Sequence, residues 1–216
     1  MTESILGIPL GITLMWGAGV FYAIGAIVFF ASFRREFANE LMTALFAFLV
    51  AMTFALFLMG VGEYWKNMWY GYLGTLAILI GSAFMLKFPF TIFSVRVRRM
   101  LFRLFLVAVL FLFIWMGLFD SGRTLMAQFV MWYMIFVNGL VVGFFVFFVG
   151  LRSKERWLRM KAGGGGIGIM SCCVASHVAS IAGAVLLSAV FQFIAPIILV
   201  ASVLLGKRMQ RHSSKT

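Results

Sequence analysis

The chain has 216 residues, of which 64% are hydrophobic and 11% charged. A soluble domain is about 45–50% apolar with about 25% charged residues, so this composition excludes an ordinary water-soluble fold and favours an integral membrane protein. Basic loops of a membrane protein explain the net charge of +12 better than a nucleic-acid surface does, and no nucleic-acid partner is expected. The two cysteines are adjacent, which excludes a disulfide framework.

Seven apolar segments follow one another along the chain, of a length suited to crossing a bilayer as helices. They are approximately residues 6–33, 41–61, 68–88, 101–119, 125–150, 163–187 and 191–205. Barrel strands alternate polar and apolar residues, whereas these segments are continuously apolar, so a β-barrel is rejected. The sequence predicts an all-α bundle of about seven transmembrane helices over residues 1–206, with a basic tail at 207–216.

The division between the last two segments is the least marked in the sequence. Only Ser188, Gln192 and Pro196 indicate a break there. The loop before this pair and the tail after it are both strongly basic, so both are expected on the cytoplasmic side. An even number of crossings must then separate them, which predicts two helices rather than one.

The distribution of positive charge predicts the orientation. If the chain crosses the membrane seven times, all but two of its 18 Lys and Arg residues lie on the same side of the membrane. The exceptions are Lys66 and Arg123. Cytoplasmic loops carry the excess of Lys and Arg, so we expect an external N-terminus and a cytoplasmic C-terminus in the plasma membrane of a cell. The predicted contact surface for a partner is the basic loop between the fifth and sixth segments, which would equally be able to lie on the anionic inner leaflet of the lipid bilayer. Its basic residues are Arg152, Lys154, Arg156, Arg159 and Lys161.

The sixth segment contains candidate metal ligands. Met170, Cys173 and His177 are spaced i, i+3, i+7 and would share one face of an α-helix, with Cys172 beside them. Thioether, thiolate and imidazole suit a soft ion such as Cu(I) or Zn(II). The cysteine pair also resembles that of small mercury-uptake membrane proteins, and this resemblance would add mercury to the candidate metal ions. Packing remains the alternative, because a buried Cys behaves as a small hydrophobe and a lone His can bond to a neighbouring helix.

Polar side chains within predicted membrane helices are candidate functional groups. Asn138 and His177 are expected at similar depth in the fifth and sixth helices, where they would be able to form a hydrogen bond. The alternative is that Asn138 bonds to a nearby backbone carbonyl.

Small residues predict where helices pack closely. The predicted packing positions are Gly7, Gly11, Gly19 and Ala23 in the first helix and Gly139 and Gly143 in the fifth. The run Gly163–Gly166 is not followed by Lys-Ser or Lys-Thr, so it is not a phosphate-binding loop. It is interpreted as a flexible entry into the sixth helix.

One stretch of the sequence resembles a known family. It runs from Asn138-Gly139-Leu140 to Gly150 and continues through Arg152-Ser153-Lys154-Glu155-Arg156 into a glycine-rich sixth helix. It is similar to the seven-helix membrane modules that precede histidine kinases and related prokaryotic signalling proteins. The resemblance implies a sensor role. No kinase or other output domain follows Leu205, so any signal is expected to pass through a membrane or cytoplasmic partner protein.

The first functional hypothesis is therefore a sensor-like or scaffold subunit in the bilayer, without enzymatic activity. The first alternative is soft-metal binding or transport. The second alternative is a small-solute transporter whose path lies between the fifth, sixth and first helices. Retinal is not expected because the last segment has no Lys, and bis-histidine haem is not expected because His212 lies in the tail. The only predicted cofactor is a soft metal ion, Cu or Zn.

Overall fold

The computed structural model describes residues 4–5, 8–34, 39–119, 124–175 and 185–213. These residues are almost entirely helical, as the composition predicts. The α-helices are α1 (Leu10–Phe33), α2 (Glu40–Trp65), α3 (Met68–Met85), α4 (Val95–Phe119), α5 (Thr124–Gly143), α6 (Arg156–Ile169) and α7 (Val185–Ser213). A 3₁₀ turn lies at Pro89–Ile92, and π-helical segments follow α5 at Phe144–Gly150 and α6 at Met170–Ala175.

Two very short strands precede the bundle. β1 (Ser4–Ile5) and β2 (Ile8–Pro9) pair antiparallel. The β pairing in the described chain is confined to these four residues, so the fold class remains all-α.

Five helical stretches in the described residues are long and apolar enough to cross a membrane. They are Leu10–Phe33, Glu40–Trp65, Met68–Ile92, Gln128–Gly150 and Leu186–Gln210. Their outward faces present large apolar side chains, such as Ile27, Phe54 and Trp132, to the surroundings. Such surfaces are suited to lipid rather than water. This length and composition are those of a multi-pass membrane protein.

A tight turn joins α2 to α3 and is held at both helix ends. Lys66 closes α2 in the left-handed conformation, with φ of 54°, and its N–H bonds to the carbonyl of Gly62. Asn67 then caps α3, because its side-chain oxygen accepts a 3.0 Å bond from the N–H of Trp69. Asn39 caps α2 in the same way through the N–H of Leu41. These caps place α2 and α3 side by side as an antiparallel pair.

The buried core lies between α1, α2, α3, α5, α7 and the π-helical segment after α6. Its largest fully buried side chains include Tyr22, Phe48, Leu79 and Met134. Glycines allow close contacts at several helix crossings: Gly19 faces Phe57 and Leu56 on α2, Gly17 faces Phe193 on α7, and Gly81 faces Ala51 on α2. Close approach of backbones is the usual way in which membrane helices associate.

The helices extend beyond the predicted apolar segments at their charged ends. α4 begins at Val95, so Arg96 and Arg98 are helical, and α6 begins at Arg156 within the predicted basic loop. The apolar pattern locates the hydrocarbon boundary, whereas backbone hydrogen bonding continues past it because Arg and Lys are good helix formers. The helix predicted to begin at residue 163 therefore begins at Arg156. Residues 176–184 of the same predicted segment lie outside the described residues.

The predicted break at Ser188, Gln192 and Pro196 does not occur, because all three lie inside α7. Pro196 is buried, and Gly25 of α1 packs against it. A proline is tolerated within a membrane helix where neighbouring helices cover the disturbed turn.

The interpretation of Gly163–Gly166 as a flexible entry is wrong, because the run lies within α6. A Cβ atom on Gly164 would collide with the side chain of Ser202 on α7, and one on Gly168 would collide with that of Leu199. Gly164 and Gly168 therefore lie on the surface where α6 meets α7, whereas Gly165 and Gly166 face the π-helical segment Phe144–Gly150.

Candidate functional site

Two adjacent thiols lie in the centre of the bundle. Cys172 and Cys173 belong to the π-helical segment Met170–Ala175, and both are fully buried. They are not disulfide-bonded, and their Sγ atoms are 3.0 Å apart. The sulfur of Cys172 also lies 3.5 Å from the carbonyl oxygen of Ile169, one turn earlier. The wider backbone of a π-helix thus presents two neighbouring thiols to the same interior region.

The predicted ligand face is not preserved in this segment. Met170 is 51% exposed, whereas Cys173 is fully buried. The i, i+3, i+7 rule holds for an α-helix, and the i→i+5 bonding of a π-helix changes which side chains share a face. Met170 is therefore exposed on the same segment whose two cysteines are buried. His177 lies outside the described residues.

A side chain from α7 fixes the backbone of the cysteine pair. The Nε2 of Gln192 donates a 2.9 Å hydrogen bond to the carbonyl oxygen of Cys172. The sequence indicates Gln192 only as a turn residue, and its role as a contact between α7 and the π-helical segment was missed. A polar residue in the middle of an apolar run is the signal that could have identified it.

Two tyrosine hydroxyls flank the thiols. Tyr22 of α1 is fully buried, and its hydroxyl faces both thiols, Cys172 more closely than Cys173. Within the described chain this hydroxyl has no nitrogen or oxygen partner. Tyr133 of α5 lies near Cys173 and donates a 2.8 Å hydrogen bond to the carbonyl of Leu79. We refer to Tyr22, Tyr133, Cys172 and Cys173 as the sulfur centre.

Neither tyrosine was singled out in the sequence. Both nevertheless lie within apolar helices, away from the helix ends where interfacial Tyr residues are usually found. This position is the signal that could have identified them as interior polar groups.

A second buried polar network lies next to Tyr133 on α5. The thioether of Met134 accepts a 3.4 Å contact from the hydroxyl of Ser82 on α3 and a 3.7 Å contact from the Nδ2 of Asn138. Asn138 Nδ2 also donates to the Met134 carbonyl at 2.8 Å. Asn138 thus bonds to a backbone carbonyl of its own helix, which is the alternative that the sequence left open. The proposed Asn138–His177 bond involves an undescribed residue.

The chemistry of the interior is that of thiol, thioether, phenol and amide groups. No set of three or more His, Cys, Asp or Glu residues that could hold a metal ion occurs in the described ranges. The described groups at this centre are therefore suited to binding through sulfur and to hydrogen bonding.

The predicted packing glycines have different surroundings. Gly19 packs against α2, and Ala23 lines a lateral groove between α1 and α2. A Cβ atom added at Gly11, Gly139 or Gly143 would meet no atom of the described residues within 4 Å. Among the described residues, close helix contacts are thus made by other glycines than these three. Gly7 lies outside the described part.

Basic residues from several helices meet at one end of the bundle. Lys207 of α7 donates a 2.9 Å bond to the carbonyl of Ser32 at the end of α1. Arg98 and Arg99 of α4 pair with Glu40 at the start of α2, at 3.1 and 3.6 Å. The start of α6 joins them, because the side chain of Lys161 covers Gly206 of α7. These contacts join the ends of α1, α6 and α7 to one another, and the start of α4 to the start of α2.

The predicted contact surface for a partner belongs to the same end. Its exposed residues are Arg152, Lys154, Arg156 and Arg159. Lys161 is half-buried and lies over the Trp157 ring at 4.7 Å. We refer to the four exposed residues as the basic face.

No protein-family model, no curated protein and no solved structure matches this chain. The sulfur centre and the basic face are therefore the two features of the chain itself that bear on its function.

Proposed function

We propose that the protein is a multi-pass subunit of the plasma membrane that acts, as a sensor-like or scaffold component, through a partner protein at its basic face. In this proposal the chain crosses the membrane seven times, with the N-terminus outside and the C-terminus in the cytoplasm. The observation that carries it is the convergence of basic helix ends on one end of the bundle, where Arg152, Lys154, Arg156 and Arg159 stay exposed.

The charge at the two ends supports the orientation. Lys66, at the α2–α3 turn, is exposed and lies 3.7 Å from Glu63. At the other end, the arginines and lysines of α4, α6 and α7 outnumber Glu40 and Glu155. Since positively charged loops are retained in the cytoplasm, the second end is assigned to the cytoplasmic side.

The lateral surface supports a subunit rather than a solute carrier. A groove of about 390 Å³ lies between α1 and α2, and its lining side chains present only apolar surface. Thr53 contributes no polar surface there, as its hydroxyl bonds to the carbonyl of Leu49 in its own helix. Such a groove accepts lipid chains or an apolar helix. A solute path would need polar groups along it.

The orientation is tested by labelling single cysteines in a Cys172→Ser, Cys173→Ser background. A membrane-impermeant maleimide added to intact cells should label Lys66→Cys and should label Lys154→Cys only after the cells are opened. Labelling of Lys154→Cys in intact cells would overturn the assignment.

The partner is tested with a photo-cross-linking amino acid at position 155, in membranes of the source cells. We expect a discrete protein adduct that is lost when Arg152, Lys154, Arg156 and Arg159 are all replaced by Gln. The matched control, Lys66→Gln at the opposite end, should retain it. Adducts to lipid alone, or a protein adduct insensitive to the four charges, would contradict a partner at the basic face.

A further inference from the structure

We propose that Cys172 and Cys173, together with the hydroxyl of Tyr22, form a binding site for one soft, thiophilic metal ion of the Cu(I), Zn(II) and Hg(II) class. This site differs from the Met170–Cys173–His177 set predicted from the sequence, because it joins the cysteine pair to a residue of α1. It goes beyond the proposed partner role and does not depend on it.

The spacing of the sulfur atoms is close to what a tetrahedral Zn(II) ion requires. Two thiolates bound tetrahedrally at about 2.3 Å would have their sulfur atoms about 3.8 Å apart, compared with 3.0 Å between Cys172 Sγ and Cys173 Sγ. Small rotations about the Cα–Cβ bonds open the pair by this amount. The backbone carbonyl of Cys172 is already held by Gln192, so the segment can stay in place while the thiols adjust.

The Tyr22 hydroxyl supplies the second, independent observation. A buried hydroxyl normally finds a nitrogen or oxygen partner, yet in the described chain this one has none, although Tyr22 is fully buried. It points instead towards Cys172 and Cys173. When an ion is bound, the hydroxyl can donate to a thiolate sulfur or place its oxygen against the ion. Either arrangement gives the buried Tyr22 hydroxyl a role at the site.

Charge balance indicates how the ion is bound. An isolated anion is very costly in an apolar interior. Binding of a divalent ion breaks two S–H bonds, forms two metal–sulfur bonds and releases two protons, so the bound dithiolate is neutral overall. With Cu(I) the same exchange leaves one negative charge, which the Tyr22 O–H would stabilise as a hydrogen-bond donor.

The chain contains only two cysteines, so a thiolate–metal absorption band has a unique source. The experiment adds Zn(II), Hg(II) or Cu(I) separately to the detergent-purified protein in its reduced state. It then measures retained metal after gel filtration, the ultraviolet charge-transfer band, and protons released. We expect one ion per chain for at least one of the three metals and, for a divalent ion, release of two protons.

Four variants complete the test. Cys172→Ser and Cys173→Ser should each abolish the two-thiolate complex, which reduces the charge-transfer band and the number of protons released. Tyr22→Phe should weaken binding about 10- to 100-fold, as is usual for groups that support metal ligands. Met170→Leu, at an exposed position of the same segment, should leave binding unchanged. If a Ser variant fails to fold, the Cys→Ala variant replaces it.

Two results would overturn the site. One is the absence of retained metal and of a charge-transfer band with all three ions in the wild-type protein. The other is equal retention by the wild-type protein and the double Cys variant. Loss of binding in Met170→Leu as well as in the Cys variants would indicate that Met170 is a ligand, as the sequence predicted. That result would contradict the role of Tyr22.

Discussion

The side-chain amide of Gln192 on α7 donates a 2.9 Å hydrogen bond to the backbone carbonyl of Cys172. This contact links the last helix to the π-helical segment that carries the sulfur centre. Gln192→Leu removes the donor from an interior site where water does not replace it. We expect a loss of about 0.6 kcal/mol in the free energy of unfolding, the average for hydrogen bonds between membrane helices, and at most about 1.7 kcal/mol.

Unfolding of the detergent-solubilised protein in increasing denaturing detergent measures this loss, and the rate of thiol alkylation provides a second readout. Gln128→Leu is the matched control, because Gln128 is exposed on α5. The same alkylation rate and stability in wild type and Gln192→Leu would show that the Cys172 carbonyl needs no support from α7.

The same Tyr→Phe substitution should have different effects on stability at the two buried tyrosines. Tyr133→Phe removes a hydroxyl that donates a 2.8 Å bond to the Leu79 carbonyl, so we expect a loss of about 1 kcal/mol. Tyr22→Phe removes a hydroxyl that lacks a nitrogen or oxygen partner in the described chain, so stability should stay unchanged or rise slightly. Thermal unfolding of both variants in one detergent checks this, and equal losses would contradict the assignment.

The helical fold class could be predicted from the sequence because it depends on composition and on the continuity of the apolar runs. Continuous apolar runs in a chain with 11% charged residues require internally satisfied backbones. The turn at Lys66 and Asn67 was also visible as a polar interruption. In these places the local chemistry of a few consecutive residues decides the structure.

The interior could be predicted less well, because hydropathy separates lipid from water but does not say which helices touch. Gly164 and Gly168 are spaced as in a small-xxx-small motif, yet a run of four glycines is equally compatible with a flexible loop. The π-helical turn at Met170–Ala175 has no sequence signature, so α-helical spacing did not indicate that Met170 would be exposed while Cys173 is buried. The Tyr22–Cys172 contact joins residues 150 positions apart in the chain, and no local pattern indicates it.

The ion pairs between α2 and α4 should contribute modestly and depend on salt. Glu40 is partly exposed and contacts Arg98, whose side chain is 18% exposed. Glu40→Gln should cost about 1 kcal/mol at low ionic strength, with the difference from wild type shrinking as salt is added. Glu63→Gln, which breaks an exposed pair with Lys66, should have no measurable effect. A salt-independent loss in Glu40→Gln would indicate that packing, rather than charge, holds these helix ends together.

Adjacent glycines of α6 provide the sharpest test of how α6 and α7 pack. A methyl group at Gly164 would collide with Ser202, whereas one at Gly163 would meet no atom of the described chain within 4 Å. Gly164→Ala should therefore destabilise the protein by about 1–3 kcal/mol through overpacking. Gly163→Ala should be neutral or stabilise it by up to about 1 kcal/mol, because Ala is the better helix former. The two variants differ by one position and by no other chemistry, and their unfolding midpoints can be measured side by side. If Gly163→Ala proves the more destabilising substitution, the orientation of α6 that places Gly164 against Ser202 is contradicted. The contact of Gly168 with Leu199 depends on the same orientation and would be contradicted as well.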